Sequence, residues 1–185
     1  MSSIKISELK TQIADLRKQL VALQKVAPAE SVKNYRFETA NGTVTLAELF
    51  GDKDALFIFH NMGTGCAYCT LWTDGFNGVA AHLQDKAAVV VCSPDTPEVQ
   101  EKFKQQRGWH FPMVSATNNQ FTQDMGYRTD QGFQPGVSAF KRDGETIHRV
   151  SNAPFGPGDD FCAVWHLLDL LPEGANGWQP DFQYN

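Results

Sequence analysis

The sequence predicts an α/β fold: a mixed central β-sheet flanked by helices, with an amphipathic helix added at the N-terminus. Three observations carry that reading. Apolar runs of strand length alternate with helix-length segments through most of the chain, a hairpin pattern comes late, and the opening residues have a helical period of their own. At 185 residues the chain is long enough for one substantial core and too short for two ordinary domains. The expected division is residues 1–28 as the added helix and 29–185 as one domain ending in a C-terminal tail.

Within residues 4–26, Ile6, Leu9, Ile13, Leu16, Leu20 and Leu23 recur alternately three and four apart. That is an a/d stripe lasting under three heptads, enough for an amphipathic helix of about six turns. Two roles are open to it: a helix lying on its own domain, or a homodimer contact of coiled-coil spacing that needs further support. Ala27-Pro28 ends the helix. Tyr35–Glu38 reads as a strand and Asn41-Gly42 as a tight turn. Thr45 can cap a short helix with Glu48 as its capping-box partner, and Gly51 releases the chain into the next strand.

The stretch Ala55–Leu71, ALFIFHNMGTGCAYCTL, is where chemistry concentrates. An apolar strand runs to His60, a glycine-punctuated turn follows, and Cys66 and Cys69 stand three apart before a segment that continues as a helix over 70–84. Cys66 falls at the mouth of that helix, where free N–H groups and the helix dipole stabilise a thiolate. Cys69, one turn further in, is spaced to close a disulfide with it. Gly75 and Gly78 weaken the helix and suggest a bend or close packing.

Lys86–Cys92 is a buried strand suited to the middle of a sheet covered on both faces. Ser93-Pro94-Asp95 turns the chain, and Thr96 with Pro97 opens a helix through about Arg107. Phe111–Ser115 is a short strand, Gln120–Met125 one or two helical turns, and Gly126–Pro135 a polar loop. Gly136–Lys141 and Glu145–Val150 form the clearest hairpin, around Arg142-Asp143-Gly144. Asn152–Gly158 is turn-rich. Asp159–Leu170 is a final helix, with Phe161, Val164, Trp165, Leu168 and the following Leu171 towards the interior. The tail past Pro172 carries Trp178, Phe182 and Tyr184 and is expected to pack down at several points.

Composition removes several classes of function. The chain is 42% hydrophobic and 20% charged, with a net charge of −5 and no basic block, so a nucleic-acid partner is disfavoured. No apolar stretch approaches the roughly 20 residues needed to cross a bilayer, and the charged N-terminus lacks the apolar segment of a signal peptide. The expected location is the cytoplasm. Four cysteines are too few for a disulfide scaffold, and in a reducing compartment a CxxC pair reads as redox-active or metal-binding. Zinc requires about four ligands, and His60, Cys92, His148 and Cys162 complete a site with the single CxxC only if the fold gathers them; no metal is expected. No Gly-rich dinucleotide fingerprint is present, so no cofactor is expected and reducing equivalents come from an external thiol.

Four stretches in order, HNMGTGCAYCTLWTDGFNG, VVVCSPDTPE, RGWHFPMVS and GVSAFKRDG, resemble the DUF899-like proteins, a family of the thioredoxin-like superfamily grouped with the AhpC/TSA (peroxiredoxin-like) proteins. The likeness covers roughly residues 30–172 and implies a thioredoxin-like fold. It implies that Cys66 attacks a substrate disulfide and that Cys69 resolves the mixed disulfide. It also implies a cis-proline beside the motif, at Pro135. The chain departs from thioredoxins in having Gly65 before the first cysteine, Ala67-Tyr68 between the two, and no acid in the strand LFIF, where His60 is the nearest titratable group. It departs from peroxiredoxins as well: the proline and threonine they carry before the attacking cysteine are absent, Thr64 being two before Cys66 and position 59 being Phe.

Single residues each admit two roles. His60 can tune the cysteine pair or simply close its strand. Tyr68 can meet a partner or pack over the loop. Trp72 and Phe76, four apart, are core candidates. Asp74 offers an acid near the pair or a solvated helix residue. Trp109 and His110 can form a rim. Cys92 and Cys162 read as small buried residues rather than redox partners. The 126–135 loop, with Tyr127 and Arg128, can cover the site if Pro135 lies beside Cys66. The function expected is a thiol–disulfide oxidoreductase acting on a protein disulfide or a small thiol or disulfide substrate. The alternatives are a non-catalytic binding or dimerisation module and a thiol-dependent peroxidase.

Overall fold

The computed structural model describes residues 2–184. Its elements, in chain order, are α1 (Ser2–Val26), β1 (Glu30–Val32), β2 (Arg36–Thr39), β3 (Gly42–Thr45), a 3-10 turn (Glu48–Phe50), β4 (Ala55–His60), α2 (Ala67–Lys86), β5 (Ala88–Ser93), α3 (Pro97–Arg107) and β6 (Met113–Ser115). They continue with α4 (Phe121–Asp124), β7 (Arg128–Thr129), β8 (Gly132–Phe133), β9 (Gly136–Asp143), β10 (Thr146–Pro154) and α5 (Ala163–Leu168). Eight strands form one sheet in the order β1-β10-β9-β4-β5-β6-β2-β3. β4, β5 and β6 run parallel, and the remaining neighbours are antiparallel. This is the mixed sheet with flanking helices that the sequence predicts.

Side-chain alternation along β4 and β5 fixes which helix covers which face. Leu56, Ile58, Val90 and Cys92 point to one side, into a core with Phe37, Phe50, Phe121 and Phe140. Phe59, Val89 and Val91 point to the other, against Trp72, Phe76 and Ala80 of α2 and Trp165 of α5. Phe59 stacks on Phe76 with ring centroids 4.0 Å apart. A strand buried on both faces reads as an unbroken apolar run, which is why β4 and β5 are so plain in the sequence.

Several boundaries differ, each for a local reason. β3 returns from the Asn41-Gly42 turn to pair with β2, and β1 pairs with the hairpin strand β10; both are short and polar, with no apolar run to mark them. Thr45 and Glu48 form the expected reciprocal bonds, 2.7 Å and 3.3 Å, but the helix they start is a single 3-10 turn. β10 runs on to Pro154 because Ala153 and Pro154 pair with Val137 and Gly136. The final helix begins only at Ala163, because the Asp159 carboxylate accepts from the Gly156 and Phe161 amides and holds a turn there. Phe161 and Leu171 are consequently exposed, not interior. In the tail, Trp178 packs edge-on against Trp165 and the Phe182 carbonyl accepts from Arg107, whereas Tyr184 is exposed.

α2 continues through Gly75 and Gly78, and a Cβ at either would meet nothing within 4 Å. Neither glycine is needed for packing. Gly136 is different: a Cβ there would run into the Tyr127 ring and lie 2.6 Å from the Ala153 carbonyl. Gly78→Ala is expected to stabilise the protein by about 0.5–1 kcal/mol, a rise in Tm of roughly 2–4 °C by calorimetry. Gly136→Ala is expected to lower Tm by more than that gain, and an unchanged Tm in both would contradict this packing.

Candidate active site

The site is built where β4 stops. Asn61 N–H still donates to the Cys92 carbonyl at 2.9 Å, continuing the sheet by one bond. Its side chain then turns the chain: Asn61 Oδ1 accepts from the Gly63 amide at 2.8 Å and Nδ2 donates to Thr73 Oγ1 at 3.3 Å. Gly63 takes φ +110°, a region side chains avoid, and a Cβ there would lie 3.2 Å from the Asp95 carboxylate oxygens. Asp95 accepts from the Thr64 amide at 3.0 Å and from Ser93 Oγ at 3.0 Å. Gln100 Nε2 completes the mounting with bonds of 2.9 Å to Ser93 Oγ and to the Val114 carbonyl. The loop before the cysteines is therefore held from the end of β5 and from α3. Sequence reasoning reads Ser93-Pro94-Asp95 only as a turn, and a short polar residue in a turn gives no sign of a long-range partner.

Cys66 is the N-cap of α2. Its backbone is extended, φ −102° and ψ 103°, and its sulfur accepts the Cys69 amide at 3.0 Å. It is half-buried, and Cys69 is buried beneath it. Both are free thiols. The Cys69 thiol and the helix-start amides of Cys69 and Tyr68 hold the Cys66 pKa down, to about 7, against the opposing effect of burial. Cys69 is pushed the other way, first by its hydrogen bond to Cys66 and then by burial, although its sulfur accepts the Met62 amide at 3.4 Å. The two sulfurs are thus split into a thiolate-prone outer member and a thiol-prone inner one.

His60 ends β4 inside the fold. It is buried, stacks on Tyr127 at 3.8 Å, and shares a 3.0 Å bond with Ser138 Oγ through Nε2; burial lowers its pKa to about 3, so the ring is neutral. Pro135 joins His60, Asn61, Cys69, Trp72 and Thr73 around a cavity of about 10 Å³ beneath the pair. No cis peptide occurs among the described residues, so Pro135 is trans, a departure from what the resemblance implies. Tyr127 is an internal strut, its hydroxyl lying 3.0 Å from both the Val137 and the Ala153 carbonyl and sharing its one proton between them, and not a cover over the site. Tyr68 stacks on Trp165. Asp74 is committed to Arg107 and accepts from Trp109 Nε1 at 2.8 Å; Trp109 is buried and forms no rim.

Cys92 lies on the face of the sheet opposite α2, and burial raises its thiol to about 12. Cys162 is buried in the α2-side core, and its pKa is raised by burial. The sheet lies between the Cys92 side chain and α2, which carries Cys69. Among the described residues no three His, Cys, Asp or Glu side chains converge as a metal site would need. A concavity of about 820 Å³ lies around Glu48, Lys53 and Gln84 and has no cysteine in its lining. A cleft of about 560 Å³, lined by Thr64, Phe103, Gln106, Arg107, Phe182 and Gln183, opens two residues from Cys66.

A family model described as "Bacterial protein of unknown function (DUF899)" matches residues 4–183. The chain belongs to this family. No curated protein matches it. Among solved structures, a mutant of Xanthomonas campestris peroxiredoxin Q aligns at 16% identity over 65% of this chain and 79% of its own, with a TM-score of 0.55. Peroxidoxin BcpB from Mycobacterium tuberculosis aligns at 17% identity, 66% and 84% coverage, and a TM-score of 0.57. Reduced Prx3 from Vibrio vulnificus gives 17% identity, 72% and 90% coverage, and a TM-score of 0.57. These likenesses show a shared fold, thioredoxin-like and of the peroxiredoxin type. Among the described residues no helix is long and apolar enough to cross a membrane.

Because the thiolate is the reactive form, alkylation of Cys66 by iodoacetamide is expected to speed up as pH rises, reaching half its maximum near pH 7. Cys69→Ala removes the largest cause of the lowered value and shifts the midpoint upward, towards the roughly 8.5 of a free thiol. A wild-type midpoint already at that free-thiol value would remove the assignment of Cys66 as the activated sulfur.

Proposed function

We propose that the protein is a thiol-based reductase in which Cys66 is the attacking sulfur and Cys69 the resolving one. The observation that carries the reading is the N-cap position of Cys66, with the Cys69 amide donating to its sulfur at 3.0 Å and the inner thiol directly below. The substrate class favoured by the fold neighbours is a hydroperoxide; the Vibrio vulnificus protein has been solved in complex with H2O2. The Cys66 thiolate attacks the outer peroxide oxygen, the O–O bond breaks, and the leaving alkoxide takes a proton to become an alcohol. Cys66 is then a sulfenic acid. Cys69 condenses with it, forming the Cys66–Cys69 disulfide and releasing water. Two equivalents of an external thiol, drawn from a reducing compartment such as the cytoplasm, reduce that disulfide and become oxidised themselves.

A second reading follows from the CxxC spacing, which suits exchange with a protein disulfide or a small disulfide. There Cys66 forms a mixed disulfide, one substrate thiolate leaves, and Cys69 displaces the second to give the same oxidised pair. The absence of the peroxiredoxin proline and threonine supports this reading, since Phe59 and Gly63 stand at those spacings before Cys66.

One comparison separates the readings: hydroperoxide consumption with dithiothreitol, beside insulin reduction, for wild type, Cys66→Ser and Cys69→Ser. The expected result is peroxide turnover by wild type, background activity in Cys66→Ser, and, when Cys69→Ser is given peroxide without the dithiol, a single stoichiometric burst that leaves a trappable sulfenic acid. Insulin reduction without peroxide consumption selects the disulfide reading. Equal background in all three proteins leaves only a non-catalytic module of the same fold.

A further inference from the structure

α1 carries the longest apolar stripe in the molecule, and nothing in its own domain covers it. Ile6, Leu9, Ile13, Leu16, Leu20 and Leu23 are each between 52% and 67% exposed. The body touches this helix only on one flank. Arg17 pairs with Asp160, and Gln24 lines a shallow concavity with Arg149 and Asn152. In heptad terms Ile6, Ile13 and Leu20 are a positions, Leu9, Leu16 and Leu23 are d positions, and Arg17 and Gln24 are both e positions. The a/d seam is therefore left open, and the neighbouring flank meets the domain only through exposed contacts among the described residues.

We propose that this seam is closed by α1 of a second copy of the chain, as a parallel, in-register, two-stranded coiled coil. The identity of the seam residues selects that occupant. β-Branched Ile at two of the three a positions, Ile6 and Ile13, with Leu at every d position, favours two parallel strands over higher assemblies. A seam with one residue type per layer is self-complementary, which a two-fold dimer requires. In register, Gln12 of one helix meets Arg17 of the other and Gln19 meets Gln24, neither pair repulsive; the single like-charge pair, Lys5 with Lys10, sits at the free end.

The area involved sets the strength. Burying six such side chains removes on the order of 600 Å² per protomer, somewhat less than the ~800 Å² per partner of a standard stable interface. The dimer is accordingly expected at tens of micromolar protein, with dissociation on dilution. Because the bodies lie on the flank, the seam is independent of the thiol site, and breaking it leaves Cys66 as reactive as before.

The test is the mass of the full chain in solution by analytical ultracentrifugation between about 1 and 100 μM. Wild type is expected to dimerise across this range. Ile13→Lys and Leu16→Lys, which put a charge into the seam, are expected to be monomeric with unchanged Cys66 alkylation; that reactivity shows the body has folded. Val21→Lys, an exposed b position, is expected to dimerise like wild type. In a Cys66→Ser, Cys69→Ser background, Leu16→Cys is expected to give a disulfide-linked dimer on mild oxidation, because only a parallel in-register pair puts Leu16 against Leu16. A wild type that stays monomeric at 100 μM, or a dimer that survives Leu16→Lys, overturns the proposal. A dimer lost with Leu16→Lys but without the Leu16→Cys cross-link overturns the parallel register.

Discussion

The Cys66 sulfur is where it is because a helix starts there and needs a cap. The first turn of α2 leaves amides without intrahelical partners, and the sulfur takes the one from Cys69 at 3.0 Å. A hydroxyl or carboxylate usually fills that role; a sulfur that does so is stabilised as the anion, so helix initiation and thiol activation are one interaction. Everything upstream serves to place it. β4 is clamped between β9 and β5, Asn61 turns the chain at the strand's end, and Asp95 pins Thr64 to the end of β5. A loop tied at that many points holds the Cys66 sulfur in one geometry, as the proposed chemistry requires.

The sheet also decides which sulfurs can take part. Because side chains alternate along a strand, Cys92 falls on the face away from α2, although its backbone carbonyl reaches Asn61 directly under the site. Its backbone is near the site in space, yet its side chain is separated from α2 by the sheet. His60, paired with Cys92 in register, shares that face and is enclosed by Tyr127 and Phe121. The same alternation makes Gly136 obligatory: it is the only residue that leaves room for the Tyr127 ring lying against His60. The neutral histidine, the buried tyrosine and the small residue are one packing solution at the sheet's edge of the site.

What could be read from the sequence divides along the same physical line. β4, β5, α3 and the late hairpin announce themselves because each carries a period or an apolar run that only burial explains, and the Cys66–Cys69 spacing sits at an unmistakable strand-to-helix junction. β1 and β3 carried no such signal, being two short polar strands recruited by their neighbours' unpaired edges. Asp159 converts the first turn of an expected helix into a carboxylate-held bend, a competition between side chain and backbone that composition alone does not resolve. Asp95 and Gln100 are invisible for a different reason: their partners, Thr64 and Val114, are far along the chain, and no local pattern encodes such a bond.

The opposed states of the two cysteines bear on the order of events in the proposed chemistry. Of the effects that keep Cys69 protonated, two come from Cys66 itself, the hydrogen bond between the thiols and the charge on the outer sulfur. Both exist only while Cys66 is a reduced anion. Once Cys66 is bonded to oxygen or to another sulfur, the negative charge is gone and the hydrogen bond loses its strong acceptor; burial then acts alone against the Met62 amide that favours the Cys69 thiolate. In the proposed chemistry, two of the three effects that keep the inner sulfur protonated are lifted once the outer one has reacted. No buried acid or titrating histidine is needed to impose that sequence, which is consistent with β4 carrying none and with His60 remaining neutral.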